Sequence, residues 1–253
     1  MGTPHIIENH NLSSAWLAIF EQIVTSGGKN EISPLILTLT DFSEVDIIRN
    51  SLNTHLERNK FYSIETVAQT IFPDSLYMLY KHNRDKFFQT YLNDVLPRFK
   101  KIDPANARGT YFERLIAYGS KDSEKVNQLG IIISALQEDA KVKRRSKLQA
   151  SIFDPAIDHL PDAYQKFPCL QHVTFFKSEN GGLIINSFYA VQSLYKKAYG
   201  NWLGLINLGK FVADECGLEL ERFNCFIGVE QLESKLNKSE ARKLLSEINV
   251  QSV

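Results

Sequence analysis

The stretch that decides the fold is FPCLQHVTFFKSENGGLIINSFYAVQSLYKKAYGNWLG, Phe167 to Gly204. Cys169 directly follows Pro168 and heads an apolar run, Val173 to Phe176. A turn, Ser178–Gly182, leads into a second apolar run, Leu183–Tyr189. Two β-rich runs joined by a glycine turn predict a hairpin or a neighbouring strand pair. Gly200-Asn201 then opens a long apolar helix. Proline at the start of the first strand fixes the cysteine sulfur in place, and a thiolate is a strong nucleophile. The plainer reading of Cys169 is a small buried hydrophobe. Cys216 and Cys225 lack this context and read as core residues.

Working outward, Leu12, Trp16, Ile19, Phe20, Ile23 and Val24 share one helical face, and Gly27-Gly28 stop the helix. Alternation at Leu35, Leu37 and Leu39 predicts a strand after Pro34. Val45, Ile48, Leu52 and Leu56 mark an amphipathic helix. A further helix over Ser63–Phe72 ends at Pro73. Tyr77, Tyr80, Phe87, Phe88 and Tyr91 recur at helical spacing and read as core rather than as a base-stacking surface. Pro97–Ala107 reads as a polar loop, and ARGTYFERLIAYG as a buried turn or strand that gathers Arg108, Tyr111 and Arg114. Val126, Leu129, Ile132, Ile133 and Leu136 predict a helix, Leu148–Phe153 a strand and His159–Lys166 a loop. The last quarter reads as helical, over Asn201–Cys216 and Lys238–Ile248. Helices and strands mix without regular alternation, which predicts a single α+β domain over residues 1–253.

Composition narrows the class. The chain has 253 residues, 43% of them hydrophobic and 23% charged, enough to bury a sizeable core. Lys+Arg and Asp+Glu are both 29, and this balance argues against a general electrostatic grip on nucleic acid or an anionic membrane. No apolar run reaches the length of a membrane span, and the N-terminus lacks the pattern of a signal peptide. Three cysteines without paired spacing suggest a reducing compartment, and hence a cytoplasmic protein. No metal site is expected.

Pro168-Cys169, an aromatic strand, a turn, a second strand and Asn201 after a glycine form an ordered set. With the apolar helix that follows, the set resembles the catalytic half of the thymidylate synthase family. Order and spacing match over roughly Gly109 to Gly228. The resemblance implies that Cys169 is the nucleophile, that Asn201 reads the pyrimidine edge and that Tyr111 works with the nucleophile. Arg144-Arg145 correspond to a pair that reaches across a dimer interface to the substrate phosphate, a task suited to arginine's planar fork. Arg108, just before Tyr111, is a third candidate for that anion. Gln171 and His172 lie close to a family histidine whose own position is Leu170. Glu65 and Gln69 lie near the family's acid–base glutamate. Plainer readings stand beside these: a solvated basic turn around Arg144-Arg145, a packed aromatic at Tyr111 and a helix N-cap at Asn201.

The departures from the family are specific. Its Arg-Ser-x-Asp motif aligns with Ala190, Val191 and Ser193, which removes a phosphate arginine and a base-contacting aspartate. Its His-x-Tyr aligns near Gln231 and Glu233. No arginine loop stands between Gly28 and Asp41. The last element expected is the 238–248 helix, where the family continues into strands and a tail that closes over the folate.

The resemblance therefore implies a mixed sheet with helices on one face, its other face packing against a second copy in a homodimer. It implies transfer of a methyl or hydroxymethyl unit from 5,10-methylenetetrahydrofolate to carbon 5 of a pyrimidine nucleotide or related heterocycle. The lost contacts point away from plain dUMP and towards a modified nucleotide, nucleoside or biosynthetic intermediate. The competing expectation is a non-catalytic relative that keeps the fold as a ligand-binding or interaction module.

Overall fold

The computed structural model describes every residue except 1–3, 9, 27–29, 120–123, 139–143, 160, 162–167, 233–237 and 252–253. In chain order the strands are β1 (His5–Ile7), β2 (Glu31–Ile32), β3 (Leu35–Leu39), β4 (Gln149–Ser151), β5 (Leu170–Lys177), β6 (Leu183–Ser193) and β7 (Leu220–Gln231). The helices of the N-terminal half are α1 (Leu12–Thr25), α2 (Asp46–Arg58), α3 (Ile64–Ile71), α4 (Asp74–Leu79), α5 (Arg84–Thr90), α6 (Leu96–Ile102) and α7 (Tyr111–Ile116). They are followed by α8 (Gln128–Gln137), α9 (Pro155–Asp158), α10 (Tyr199–Glu215) and α11 (Lys238–Gln251). Among the described residues, no helix is long and apolar enough to cross a membrane.

The strands form one mixed sheet in the order β1-β3-β7-β6-β5-β4, with β2 pairing β7. β1 with β3 and β6 with β7 are parallel, and the other pairings are antiparallel. This is the α+β fold that the sequence predicts. Leu35, Leu37 and Leu39 of β3 and Phe223, Cys225 and Ile227 of β7 are buried, as period-2 alternation requires. α10 packs on β6 and β7, and α8 on β4 and β5.

Three stretches differ from the sequence reading. Pro97–Ala107 is α6 followed by a 3-10 turn, Pro104–Arg108, because Pro97 sits in the first helical turn, where its missing N–H costs nothing. The ARGTYFERLIAYG segment is helical over α7. Thr110 caps it by accepting from the Glu113 N–H at 3.1 Å. The last quarter contains β7, which joins the two halves of the sheet. Of the 159–166 loop, most residues lie outside the described ones.

α3 and α10 cross at backbone distance. A Cβ on Gly200 would lie 2.7 Å from the Ile64 carbonyl oxygen, and one on Gly204 2.7 Å from that of Ala68 and 2.8 Å from Ile71 Cβ. Gly204→Ala therefore sets a helix-propensity gain of about 1 kcal/mol against overpacking of about 1–3 kcal/mol. The obstacle is backbone, which cannot swing aside, so overpacking wins. The expected result is a lower urea midpoint, and a raised midpoint would refute this crossing.

The sheet's other face bears an apolar row. Ile6 pairs with Ile36, Ile36 with Phe226 and Phe226 with Phe188 across neighbouring strands. Phe188 and Phe226 are 41% and 42% exposed, with ring centroids 5.6 Å apart. Beside this row runs a polar one, in which Asn224 Nδ2 donates to Asn186 Oδ1 at 2.8 Å and Asn186 Nδ2 to Thr174 Oγ1 at 2.9 Å.

Candidate functional site

Tyr111 is aimed by the elements before it. The Tyr91 and Thr110 hydroxyls are hydrogen-bonded at 2.6 Å, which ties the start of α7 to a π-turn, Tyr91–Val95. Gly109 has φ +112°, a conformation glycine adopts without strain, and so reverses the chain into the cap. Tyr111 then projects towards the start of β5, where the backbone N–H groups of Cys169 and Leu170 are directed at its hydroxyl. Burial raises the pKa of that phenol, and the adjacent Cys169 raises it further.

Cys169 stands just before β5. Its carbonyl oxygen accepts the N–H of Ala190 at 3.3 Å. The β5–β6 register shifts between Leu170 and His172, leaving Gln171 as the extra residue of a bulge. Gln171 Nε2 donates to the Pro168 carbonyl at 2.8 Å and to that of Cys169 at 3.2 Å. Gln171 thus pins the Pro168-Cys169 bend. Cys169 is exposed as a residue, yet packing around the thiol raises its pKa, with the Lys197 charge acting in the opposite sense.

Tyr189 of β6 completes the group. It is fully buried, and its hydroxyl has no hydrogen-bond partner among the described residues. Burial raises its pKa well above the usual value, with Tyr111, Cys225, Cys169 and Glu230 adding to the effect. Past β6, a π-turn, Leu194–Ala198, carries Lys197 and runs directly into α10. Asn201 is therefore buried within the helix rather than capping it; the helix starts earlier and has no side-chain cap. A cavity of about 440 Å³ opens beside Tyr111, lined also by Tyr62, Val67, Gln69, Ile102 and Lys197.

The remaining candidates sit elsewhere. Glu65 lies in the first turn of α3, ion-paired with Arg49 and accepting from Asn53 Nδ2 at 3.1 Å. Its pKa is lowered overall: burial raises it, but backbone, Asn53 and Arg49 contacts outweigh that. Gln69, one turn on, does line the cleft. Arg108 lines a second cavity of about 400 Å³ with Lys100, Glu113 and Lys125. Arg114, expected beside Arg108 and Tyr111, donates from Nη2 to the Arg108 carbonyl at 3.5 Å and lines the same cavity, while its guanidinium pairs with the buried Asp158. Arg144 precedes and Arg145 opens a short 3-10 turn, Arg145–Lys147, and Arg145 lines a cavity with Phe176, Lys177 and Ser178 at the far end of β5. Eight residues of strand, about 25 Å, separate that end from Cys169.

Within one chain, then, Tyr111 lines the cleft and reaches the backbone at Cys169, which is not itself in the cleft lining, whereas Arg108, Arg144 and Arg145 do not join them. Tyr189 and Lys197 are the residues sequence reasoning missed, since both read as ordinary members of a strand and a helix. Among the described residues, no group of three or more His, Cys, Asp or Glu could hold a metal ion. Fold and site define an α+β protein with a cysteine–tyrosine pair at the end of a mixed sheet. No protein-family model matches the chain, and no curated protein matches it.

Proposed function

We propose that this protein is a cytoplasmic, thymidylate-synthase-like transferase that adds a one-carbon unit to carbon 5 of a pyrimidine nucleotide or related heterocycle. The observation that carries this reading is the placement of the Tyr111 hydroxyl against the backbone of Cys169 and Leu170, beside a cleft of ligand size. The Cys169 thiolate adds to carbon 6 of the ring, and the electron pair of the 5,6 double bond moves to carbon 5. The Tyr111 hydroxyl, polarised by two N–H groups, is placed to pass a proton at that end of the ring. Asn201 reads the ring edge. Ala190, whose N–H reaches the Cys169 carbonyl, leaves no arginine at the thiol, in keeping with a substrate other than plain dUMP.

The cleft's flat and apolar walls, Tyr62, Val67, Ile102 and Tyr111, suit a heterocycle with an aromatic stem. They would hold methylenetetrahydrofolate, which supplies the one-carbon unit when bound. The test of the reading is exchange at carbon 5 in D2O across a panel of pyrimidine nucleosides and monophosphates, followed by NMR. Addition at carbon 6 makes the carbon-5 hydrogen exchangeable. No exchange with any member of the panel would favour the other reading, a non-catalytic binding module, which the absence of a charged side chain at position 190 also suits.

A homodimer through the Ile6, Ile36, Phe226 and Phe188 row completes the proposal. It would cover an apolar strip and let Arg144 and Arg145 act on the partner's site, which they cannot reach in their own chain. If the substrate carries a phosphate, Arg145→Ala should weaken the monophosphate by about 1.5–3 kcal/mol, roughly ten- to a hundredfold, and leave the nucleoside unchanged. Calorimetry of both ligands, with light scattering for the dimer, checks this. A monomer, or equal loss for both ligands, would remove the clamp.

A further inference from the structure

We propose that the cavity beside Arg108 is a second binding site, one that takes a small phosphate monoester bearing hydroxyl groups. Its lining shares no residue with the cleft at Tyr111, and the inference stands apart from the transferase reading. The cavity, about 400 Å³, gathers four cations, Lys100, Arg108, Arg114 and Lys125, against two carboxylates, Glu113 and Asp154. Two of the cations have carboxylate partners already. Arg114, itself buried, has its fork filled by Asp158, and Lys100 Nζ donates to Glu113 Oε1 at 2.9 Å. Arg108 is exposed, and its guanidinium has no ion pair or hydrogen bond among the described residues.

The backbone fixes these charges before any ligand arrives. The Arg108 carbonyl accepts from Arg114 Nη2 at 3.5 Å, and the Gly109 N–H donates to the Asn106 carbonyl at 2.9 Å, so the turn that carries Arg108 is held at both ends. Lys125 is set by the bridge between Tyr118 and Val126, two N–H bonds of 2.9 Å, and its Nζ donates to the Gly119 carbonyl at 2.6 Å. Groups already held in this way lose little freedom on binding. Cations gathered around one cavity repel each other until an anion enters, and the planar fork of Arg108 meets two phosphate oxygens at once. Asp154 sets the rest of the ligand. Its Oδ1 accepts the Ala156 N–H at 3.0 Å, and an ionised carboxylate can only accept, so it calls for a hydroxyl on the ligand. The volume agrees, since it falls in the range of small-molecule sites and leaves room beyond a bare phosphate.

Calorimetry of the full chain with ribose 5-phosphate, inorganic phosphate and ribose, all at one ionic strength, tests this. Ribose 5-phosphate should bind more tightly than either of the other two. Arg108→Ala should weaken it roughly ten- to a hundredfold, the effect of losing one charge-assisted contact. Arg108→Lys keeps the charge but not the fork and should fall between alanine and wild type. Arg108 is exposed, so both variants should melt where the wild type does. Equal binding of ribose and ribose 5-phosphate by the wild type would overturn the inference, as would a folded Arg108→Ala protein that binds as the wild type does. A loss confined to Arg145→Ala would place the phosphate in the cavity at the far end of β5 and would overturn it too.

Discussion

Arg114→Ala should cost the fold about 3–5 kcal/mol, the loss expected when one partner of a buried ion pair is removed. Arg114 and Asp158 are 7% and 1% exposed, and the guanidinium meets the carboxylate as a fork, Nη1 to Oδ2 at 2.6 Å and Nη2 to Oδ1 at 2.8 Å. Nη1 also donates to the Ile152 carbonyl at 2.8 Å, and the Asp154 N–H donates to Asp158 Oδ2 at 2.7 Å. These bonds fasten α7 to the segment between β4 and β5. Alanine leaves the Asp158 charge buried with one backbone donor in place of three. Arg114→Lys keeps the charge but not the fork and should fall between alanine and wild type. Replacing both partners with apolar residues should recover much of the loss, because the pair's attraction is largely offset by its desolvation. Urea denaturation of the single and double variants gives the result. A loss under about 1 kcal/mol for Arg114→Ala would mean that water reaches the pair.

That pair also marks where sequence reading stopped. Arg114 reads as a companion of Arg108 and Tyr111 because the three are close in the chain. Arg108 belongs to the 3-10 turn before α7 and offers Arg114 only its carbonyl, while the Arg114 guanidinium takes the core side to meet Asp158. The helix signal was present in Thr110 and Glu113, a cap three residues from an acid, but six residues are too few for a hydrophobic period to show. β7 was hidden for another reason. Its outward face carries Phe226 and Gly228, and its inward face ends in the buried Glu230, so the polar–apolar alternation is blurred in both directions. By contrast, α1, β3 and α2 were legible because each buries one continuous stripe against the core, and α10 because it is apolar and buried almost all round. In the site, Cys169 stands out beside proline at a strand start. Its partner Tyr111 lies far away in sequence, and composition and periodicity are silent on such a pairing; the family resemblance was the signal for it. Nothing marked Tyr189 or Lys197, since a π-turn has the composition of any helix and an unpaired hydroxyl cannot be seen in a sequence.

Cys169→Ala should abolish carbon-5 exchange and turnover while leaving the fold nearly as stable as before. The two effects separate because of where the sulfur sits. Cys169 is exposed as a residue although its thiol is partly packed, so the gap left by trimming it opens to solvent, and the expected stability change is under about 1 kcal/mol. Its neighbours hold the bend through backbone groups, the Gln171 amide on the Pro168 and Cys169 carbonyls and the Ala190 N–H on Cys169, and alanine keeps all of these. Cys225 is the matched contrast. It is 1% exposed on the inward face of β7, so Cys225→Ala should lower stability by about 1 kcal/mol or more and leave exchange in place. For a nucleophile that forms the covalent adduct, the expected fall in rate is at least about a thousandfold, since the tyrosines and the cleft cannot replace the bond to carbon 6. The measurement is NMR exchange at carbon 5 beside a thermal melt for each variant. Exchange surviving in a well-folded Cys169→Ala protein would end the nucleophile assignment. Loss of exchange with an unmoved melt would leave the thiol's chemistry, and not its packing, as the cause.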